Sequence, residues 1–321
     1  MRWVEISTVT MSLVLSAGST WAESRQCYDH DGDGFGNGCA AGADCNDHNP
    51  NVNPGRKEVC DFVDNDCNAL VDDAPQCPQP SHQLERLAVR GGPFIMGSDE
   101  GAADELPTHD VLVSSFHLDR FEVTNARYRA CVLAGVCDPP ALRSSRHRPQ
   151  YFDADDFANY PAIFVSWHQA NAFCHWAGGR LPTEAEWEMA ARGPAPSTRT
   201  YPWGDEAPDC SRSNFGGDRG CVGDTDLVGR RPLGNSPHGA MDMAGNVWEW
   251  VADWYEAEYY TNSPLKNPQG PEQGNLKVMR GGCWESETSS LRVSCRKAEL
   301  PKAWADNVGF RCAYDAPGGA R

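Results

Sequence analysis

The chain has 321 residues, 40% hydrophobic and 23% charged, the composition of an ordinary soluble globular protein with room for one large and one small domain. Asp and Glu total 45 against 28 Lys and Arg, a formal charge of −17. That excess disfavours nucleic acid and anionic membrane surfaces as partners and suits cation binding.

In chain order, Arg2 precedes a modest apolar run from Ile6 to Ala17, and Thr20-Trp21-Ala22 resembles a small-residue cleavage site. This reads as a signal peptide over residues 1–22, with an uncleaved anchor as the alternative. The run is too short and too rich in Ser and Thr for a membrane span, and no later stretch is long enough, so no span is expected after cleavage. Export to the periplasm, cell surface or medium follows. All fourteen cysteines lie beyond this segment, an even number that in an exported chain points to disulfides. Six are packed into residues 27–77, which marks a domain boundary.

Residues 23–82 are expected to form a small acidic module and its linker. Between Cys27 and Cys77 there are eleven acidic residues against two basic ones and few large apolar side chains. So small a core needs staples or metals. "DHDGDGFGN" begins as a calcium loop begins: Asp29, Asp31 and Asp33 alternate, Gly34 allows the sharp turn, and Phe35 offers its carbonyl. Ala40 stands where a calcium hand needs its closing Glu, so Asp44 or Asp47 is expected to complete the set. A second half-site follows in Asp64, Asp66, Asn68, the Leu70 carbonyl and Asp72. The segments "DxDGDGFG", "DCND" and "DNDCNALVDD" resemble metal-binding repeats of secreted bacterial proteins, similar to thrombospondin type-3 repeats, which implies bound calcium. The alternative is an acidic, disulfide-knotted linker. "APQCPQPSHQ" reads as the linker itself.

The large domain is expected over residues 83–316. "VRGGPFIMGS" and "VLVSSFHLD" read as strands. Thr124 is expected to cap a helix ending near Gly135, Ser166 one ending at Gly178, and Thr183 one closed by Gly193, with Glu186 completing a capping box. The remainder is turn-rich, so regular structure should be sparse.

The segments "HLDRFEVTNARY", "PAIFVSWHQANAFCHWAGGRLPTEAEWEMAARG", "YPWGDE", "GAMDMAGNVWEWVADWY", "VMRGG" and "NVGFRCA" occur in an order that resembles the formylglycine-generating enzyme, or sulfatase-modifying factor, family from about Leu84 to Asp315. The resemblance implies a modified C-type-lectin-like α+β fold with sparse regular structure. It also implies two calcium sites. One would use the Asp242 and Glu249 side chains with the Gly245 and Val247 carbonyls; the other would use Asn214, the Phe215 carbonyl, Asp226 and Leu227. The two acids bracketing a Gly-Asn turn in "DMAGNVWE" make chemical sense as ligands, and equally as a capped turn with surface acids.

The family's enzymes hold copper(I) between two cysteines and oxidise a sulfatase cysteine to formylglycine with oxygen. Their two cysteine positions fall here on Ser286 and Leu291, and Cys283 stands where they have serine. Neither serine nor leucine replaces a thiolate for this soft ion, which argues against copper and leaves the catalytic positions without their residues. The resemblance implies a Cys174–Cys312 bridge, while Cys131 with Cys137 and Cys210 with Cys221 flank short loops. Cys283 and Cys295 are then left over. A disulfide between them is expected in an oxidising compartment, with a functional thiol pair as the alternative. Trp248, Trp250, Trp254 and Trp284 either line a ligand groove or lie in the core. His168 and His175, two turns apart on one helix, read as packing or surface residues, and the basic run Arg143–Arg148 as a solvated loop.

Taken together, the chain reads as an exported calcium-binding protein with a sulfatase-modifying-factor domain, a non-oxidase binding or structural member whose partner is a peptide, glycan or envelope protein. The alternative is a formylglycine-generating oxidase with rearranged cysteines.

Overall fold

A computed structural model describes residues 27–43, 50–57, 65–67, 86–217 and 220–316. The chain divides into two compact units, a small one within Met1–Arg56 and Asp66–Asn68 and a large one within Lys57–Asn65 and Ala69–Arg321. No helix among the described residues is long and apolar enough to cross a membrane.

In the small unit Cys27 is bridged to Cys39, Tyr28 pairs with Asn37, and Phe35 is half-buried. Asn53 donates from Nδ2 to Asp33 Oδ2 at 2.6 Å, and its own Oδ1 accepts from the Gly55 N–H. One buried amide therefore joins the aspartate loop to the "NPGR" turn.

The large unit is α+β, with three short sheets and three helices of nine or ten residues. Strands β1 (Arg86–Val89), β4 (Phe116–Asp119) and β9 (Ala313–Asp315) form one antiparallel sheet; β2 (Gly92–Met96) and β3 (His109–Val113) form a hairpin. Strands β5 (Trp248–Trp254), β6 (Lys277–Arg280), β7 (Arg296–Glu299) and β8 (Val308–Phe310) form a third sheet in the order β7-β6-β5-β8, its β5–β8 pair parallel. "VLVSSFHLD" is thus split between two sheets at Ser114-Ser115.

The helices start where the sequence puts their caps. Thr124, Ser166 and Thr183 each accept the N–H three residues on, and the last two are full capping boxes. Helix α1 (Asn125–Leu133) and α2 (Trp167–Trp176) stop just before Gly135 and Gly178, both in the left-handed region. Helix α3 (Glu184–Arg192) is different in kind, since every one of its residues is buried, four charged ones included. Bridges Cys131–Cys137, Cys174–Cys312 and Cys210–Cys221 are present as expected.

Three of the four singled-out tryptophans, Trp248, Trp250 and Trp284, are core residues. Trp254 is partly exposed and forms, with Trp167, a sandwich around the Lys277 ammonium, 3.8 and 4.0 Å from the two ring centroids. His168 packs edge-on against Trp167, and His175 bonds the Asn171 carbonyl. The basic run is pinned by ion pairs from Arg143 to Asp153 and from Arg148 to Asp224.

Candidate functional site

The stretch from Arg280 to Arg296 leaves β6, turns back and returns as β7. Gly281 and Gly282 both take positive φ, and a Cβ on Gly282 would sit 2.8 Å from Leu291 Cδ2. Glycine there lets the loop fold onto itself. The Thr288–Leu291 segment makes one 3-10 turn whose Leu291 is fully buried.

Cys283 and Cys295 are not joined; both are free thiols, which overturns the expected disulfide. Their surroundings explain it. Cys283 is fully buried, with its Sγ 3.4 Å from Ser286 Oγ, and the same hydroxyl accepts the Cys283 N–H at 3.0 Å. Cys295 is only partly buried and lies within reach of the Glu105–Arg292 ion pair. Each thiol therefore has an environment of its own. Burial pushes both upward from the ordinary thiol value, so neither is held as a thiolate. At the positions that hold copper in the enzymes this chain offers one hydroxyl and one buried isobutyl group, with one neutral thiol beside them. That set does not fit copper(I).

The loop is bound on one side to the segment that carries Asn214. Gly216 N donates to Ser286 O at 3.0 Å and Gly217 N to Trp284 O at 2.9 Å; Trp284 N donates to Asn246 O and Asn246 N to Asn214 O. The Asn246 side chain uses every polar group it has. Its Oδ1 accepts from Asn214 Nδ2 and the Asp226 N–H, while its Nδ2 donates to Glu122 Oε2 and the Asp226 carbonyl. Asn246 has φ of 64°, and Gly245 before it has φ of 84° with a Cβ position only 2.4 Å from Asn214 O. Only glycine fits there.

Asn214 and Asp226 are brought together by this seam, and Asn214 Oδ1 is a buried acceptor with no hydrogen-bond partner. A cation ligated at that oxygen would satisfy it. Asp226 also pairs with Arg231 at 2.7 Å, the Phe215 carbonyl accepts from Cys221 N, and Leu227 is partly exposed. For the neighbouring site, Glu249 gives both oxygens to Arg311 and one also to Trp187 Nε1, and Asp242 Oδ2 accepts from Gly229 N at 2.6 Å. Glu122, which the sequence reading did not single out, lies in the same buried patch with Asn246 and the Val247 N–H on its oxygens. Burial, then Asp242 and Glu249, hold the Glu122 carboxyl well above the usual range, and burial pushes Asp242 up to about 6. Among the described residues Glu249 alone of these three is ion-paired, to Arg311, and a divalent cation could take the place of a proton at the other two buried carboxyls.

In the small unit Asp29, Asp31 and Asp33 each bring a carboxylate oxygen to within 4.8 Å of the others, the one such acidic trio among the described residues. Asp29 accepts the Gly32 N–H on Oδ1 and the Gly34 N–H on Oδ2, and Asp33 Oδ1 accepts the Phe35 N–H, so side-chain-to-backbone bonds hold the loop. Asp66 is partly buried. Asp44, Asp47, Asp64, Asn68, Leu70 and Asp72 lie outside the described residues.

With this geometry established, residues 72–316 match the profile for the sulfatase-modifying factor enzyme 1-like domain. The chain belongs to the sulfatase-modifying factor family. A metal-binding motif of the copper-binding MopE type covers residues 44–73, so the segment before the sulfatase-modifying-factor domain carries a metal-binding motif. The formylglycine-generating enzyme of Streptomyces coelicolor is 34% identical over 291 residues, spanning 74% of this chain and 91% of that protein. A protein named serine/threonine-protein kinase pkn1 from Chlamydia pneumoniae is 40% identical over 252 residues; the match spans 74% of this chain but only 39% of that relative. Among solved structures, PvdO from Pseudomonas aeruginosa shares the fold with a TM-score of 0.61 at 27% identity, covering 76% of this chain and 97% of that one.

Proposed function

We propose that this protein is an exported, calcium-binding, non-oxidase member of the sulfatase-modifying factor family that serves as a binding or structural module for a peptide, glycan or envelope protein. The observation that carries the non-oxidase reading is the Cys283–Ser286 contact. Thiol and hydroxyl stand at exchanged positions, and the second thiol position is the buried Leu291. Export is supported by the bridges Cys131–Cys137, Cys174–Cys312 and Cys210–Cys221, which an oxidising compartment maintains. Calcium rather than a softer metal is supported by the ligand chemistry, since Asp29, Asp31 and Asp33 supply hard carboxylate oxygens only. In the large domain it is supported by the orphaned Asn214 Oδ1 and by the buried oxygen donors of Glu122 and Asp242, neither of which is ion-paired among the described residues. The small module at 23–82 then has a structural or adhesive role that depends on bound calcium.

The free state of Cys283 and Cys295 favours a second reading, a formylglycine-generating oxidase that uses this displaced pair. Two measurements separate the readings. The purified protein is titrated anaerobically with copper(I) against a chromogenic chelator, and it is incubated with a C-x-P-x-R peptide in air while peptide mass reports thiol-to-aldehyde conversion. No tight copper and no conversion are expected; a tight one-to-one copper complex with turnover overturns the non-oxidase reading. Calcium is tested by melting with and without chelator, and an unchanged melting temperature removes it.

A further inference from the structure

We infer that a cation at Asn214 locks the Cys283–Ser286 loop, so that ion occupancy in the large domain sets access to the loop where the family's enzymes do their chemistry. The inference rests on the calcium reading above and goes beyond it by giving the ion a task other than general stability.

Three backbone segments meet in one seam. Asn214 O, Asn246 N, Asn246 O and Trp284 N form a relay of two hydrogen bonds, at 2.9 and 2.8 Å, running from the cation segment to the loop. Two further bonds, from Gly216 and Gly217, reach the Ser286 and Trp284 carbonyls directly. The Cys283–Ser286 segment is thus held by three main-chain bonds on this side, from Asn246 and the residues just after Asn214, and Gly245 N adds a fourth bond to Gly281 O just before it. Trp284 and Cys283 are both buried.

The seam has a weak point. Asn214 is buried, donates to both Asp224 O and Asn246 Oδ1 from one nitrogen, and keeps its Oδ1 without a partner. A buried unsatisfied acceptor opposes the closed seam, and ligating it to a cation removes that opposition. Asn246 transmits the effect because its side chain grips Asn214, Asp226 and Glu122 together while its backbone bonds both flanking segments. Asn246 is therefore a positioning residue for the loop. Cys295, next to β7, shares none of these bonds.

The two free thiols supply the readout. The full-length protein is pulse-labelled with iodoacetamide in calcium and again after chelation, and labelling at Cys283 and Cys295 is followed separately by peptide mass mapping. The Asn214→Ala variant is treated alike, and bound calcium is counted in every sample. Chelation is expected to speed Cys283 labelling at least ten-fold and Cys295 labelling far less. Asn214→Ala should bind one ion fewer, label quickly at Cys283 in calcium, and respond little to chelator. Equal acceleration of both thiols would mean general unfolding and overturns the inference. An unchanged Cys283 rate while one ion is lost also overturns it, yet leaves calcium binding standing. A variant that keeps every ion removes the calcium reading at Asn214 and the inference with it.

Discussion

Loss of copper chemistry in this chain comes down to three side chains. Cys283 and Ser286 touch each other, so the loop still brings a thiol and a hydroxyl together, with their positions exchanged relative to the enzymes. Leu291 fills the remaining position and packs against Gly282, which closes the space a second thiolate would need. A variant carrying Cys283→Ser, Ser286→Cys and Leu291→Cys is therefore expected to gain one tight copper(I) site, read by competition with a chromogenic chelator. Shortening Leu291 should cost roughly 2–3 kcal/mol, visible in the urea midpoint. A folded triple variant that binds no copper would show that the shorter loop, rather than residue identity, removed the site. The residue types at 286 and 291 were legible in the sequence. The free state of Cys283 and Cys295 was not, because pairing leftover cysteines by elimination ignores the separate surroundings the fold gives each thiol.

At the scale of elements, α3 holds the large unit together in a way its sequence disguises. "EAEWEMAAR" reads as a capped, charged helix of the kind usually found at a surface, and its cap was legible to the residue. Its burial was not, because the partners that neutralise it arrive from β6 and β7, about a hundred residues later. Glu184 bonds Arg280 at 2.7 Å and Arg296 at 2.7 and 3.0 Å; Glu188 bonds Arg280 at 2.6 Å and Arg192 at 2.8 Å. Arg280 and Glu188 are fully buried. Breaking such a pair strands a charge in the interior, so Glu184→Gln should destabilise the domain by about 3–5 kcal/mol. Denaturant unfolding checks this, and a loss below about 1 kcal/mol would place the network's charges in contact with water. The same network perturbs Asp253 on β5, whose carboxylate accepts the Glu184 N–H. Burial, and then the Glu184 charge, push Asp253 up to about 8 from 3.8. The folded state thus binds the Asp253 proton more tightly than the unfolded chain. This contribution to stability is full below about pH 4 and is lost as pH rises towards about 8. Asp253→Asn removes it, so the variant's melting temperature should fall less than the wild type's between those limits. Parallel melting curves would rule this out.

Across the whole molecule, sparse regular structure means that cross-links carry weight that long helices and strands carry elsewhere. The bridges differ greatly in what they close. Cys131–Cys137 spans 6 residues at the end of α1, whereas Cys174–Cys312 spans 138 and ties α2 to the start of β9. In the chain-entropy account a bridge stabilises by restricting the unfolded chain, in proportion to the logarithm of the loop closed. That gives about 2 kcal/mol for the short bridge and about 5 kcal/mol for the long one. Both long-bridge cysteines are fully buried in the cluster that holds Phe173 and Phe310, so the cavity left by alanine adds to the loss of chain restriction. The Cys174→Ala/Cys312→Ala variant should therefore melt some 10–20 °C below the wild type, since about 1 kcal/mol shifts a domain of this size by 2–4 °C. Removing the short bridge should cost less than half as much. Calorimetry on the two variants under identical calcium settles the order. Equal losses would mean that native packing, not chain restriction, carries the stabilisation, and the fold would then survive a reducing compartment far better than its fourteen cysteines suggest.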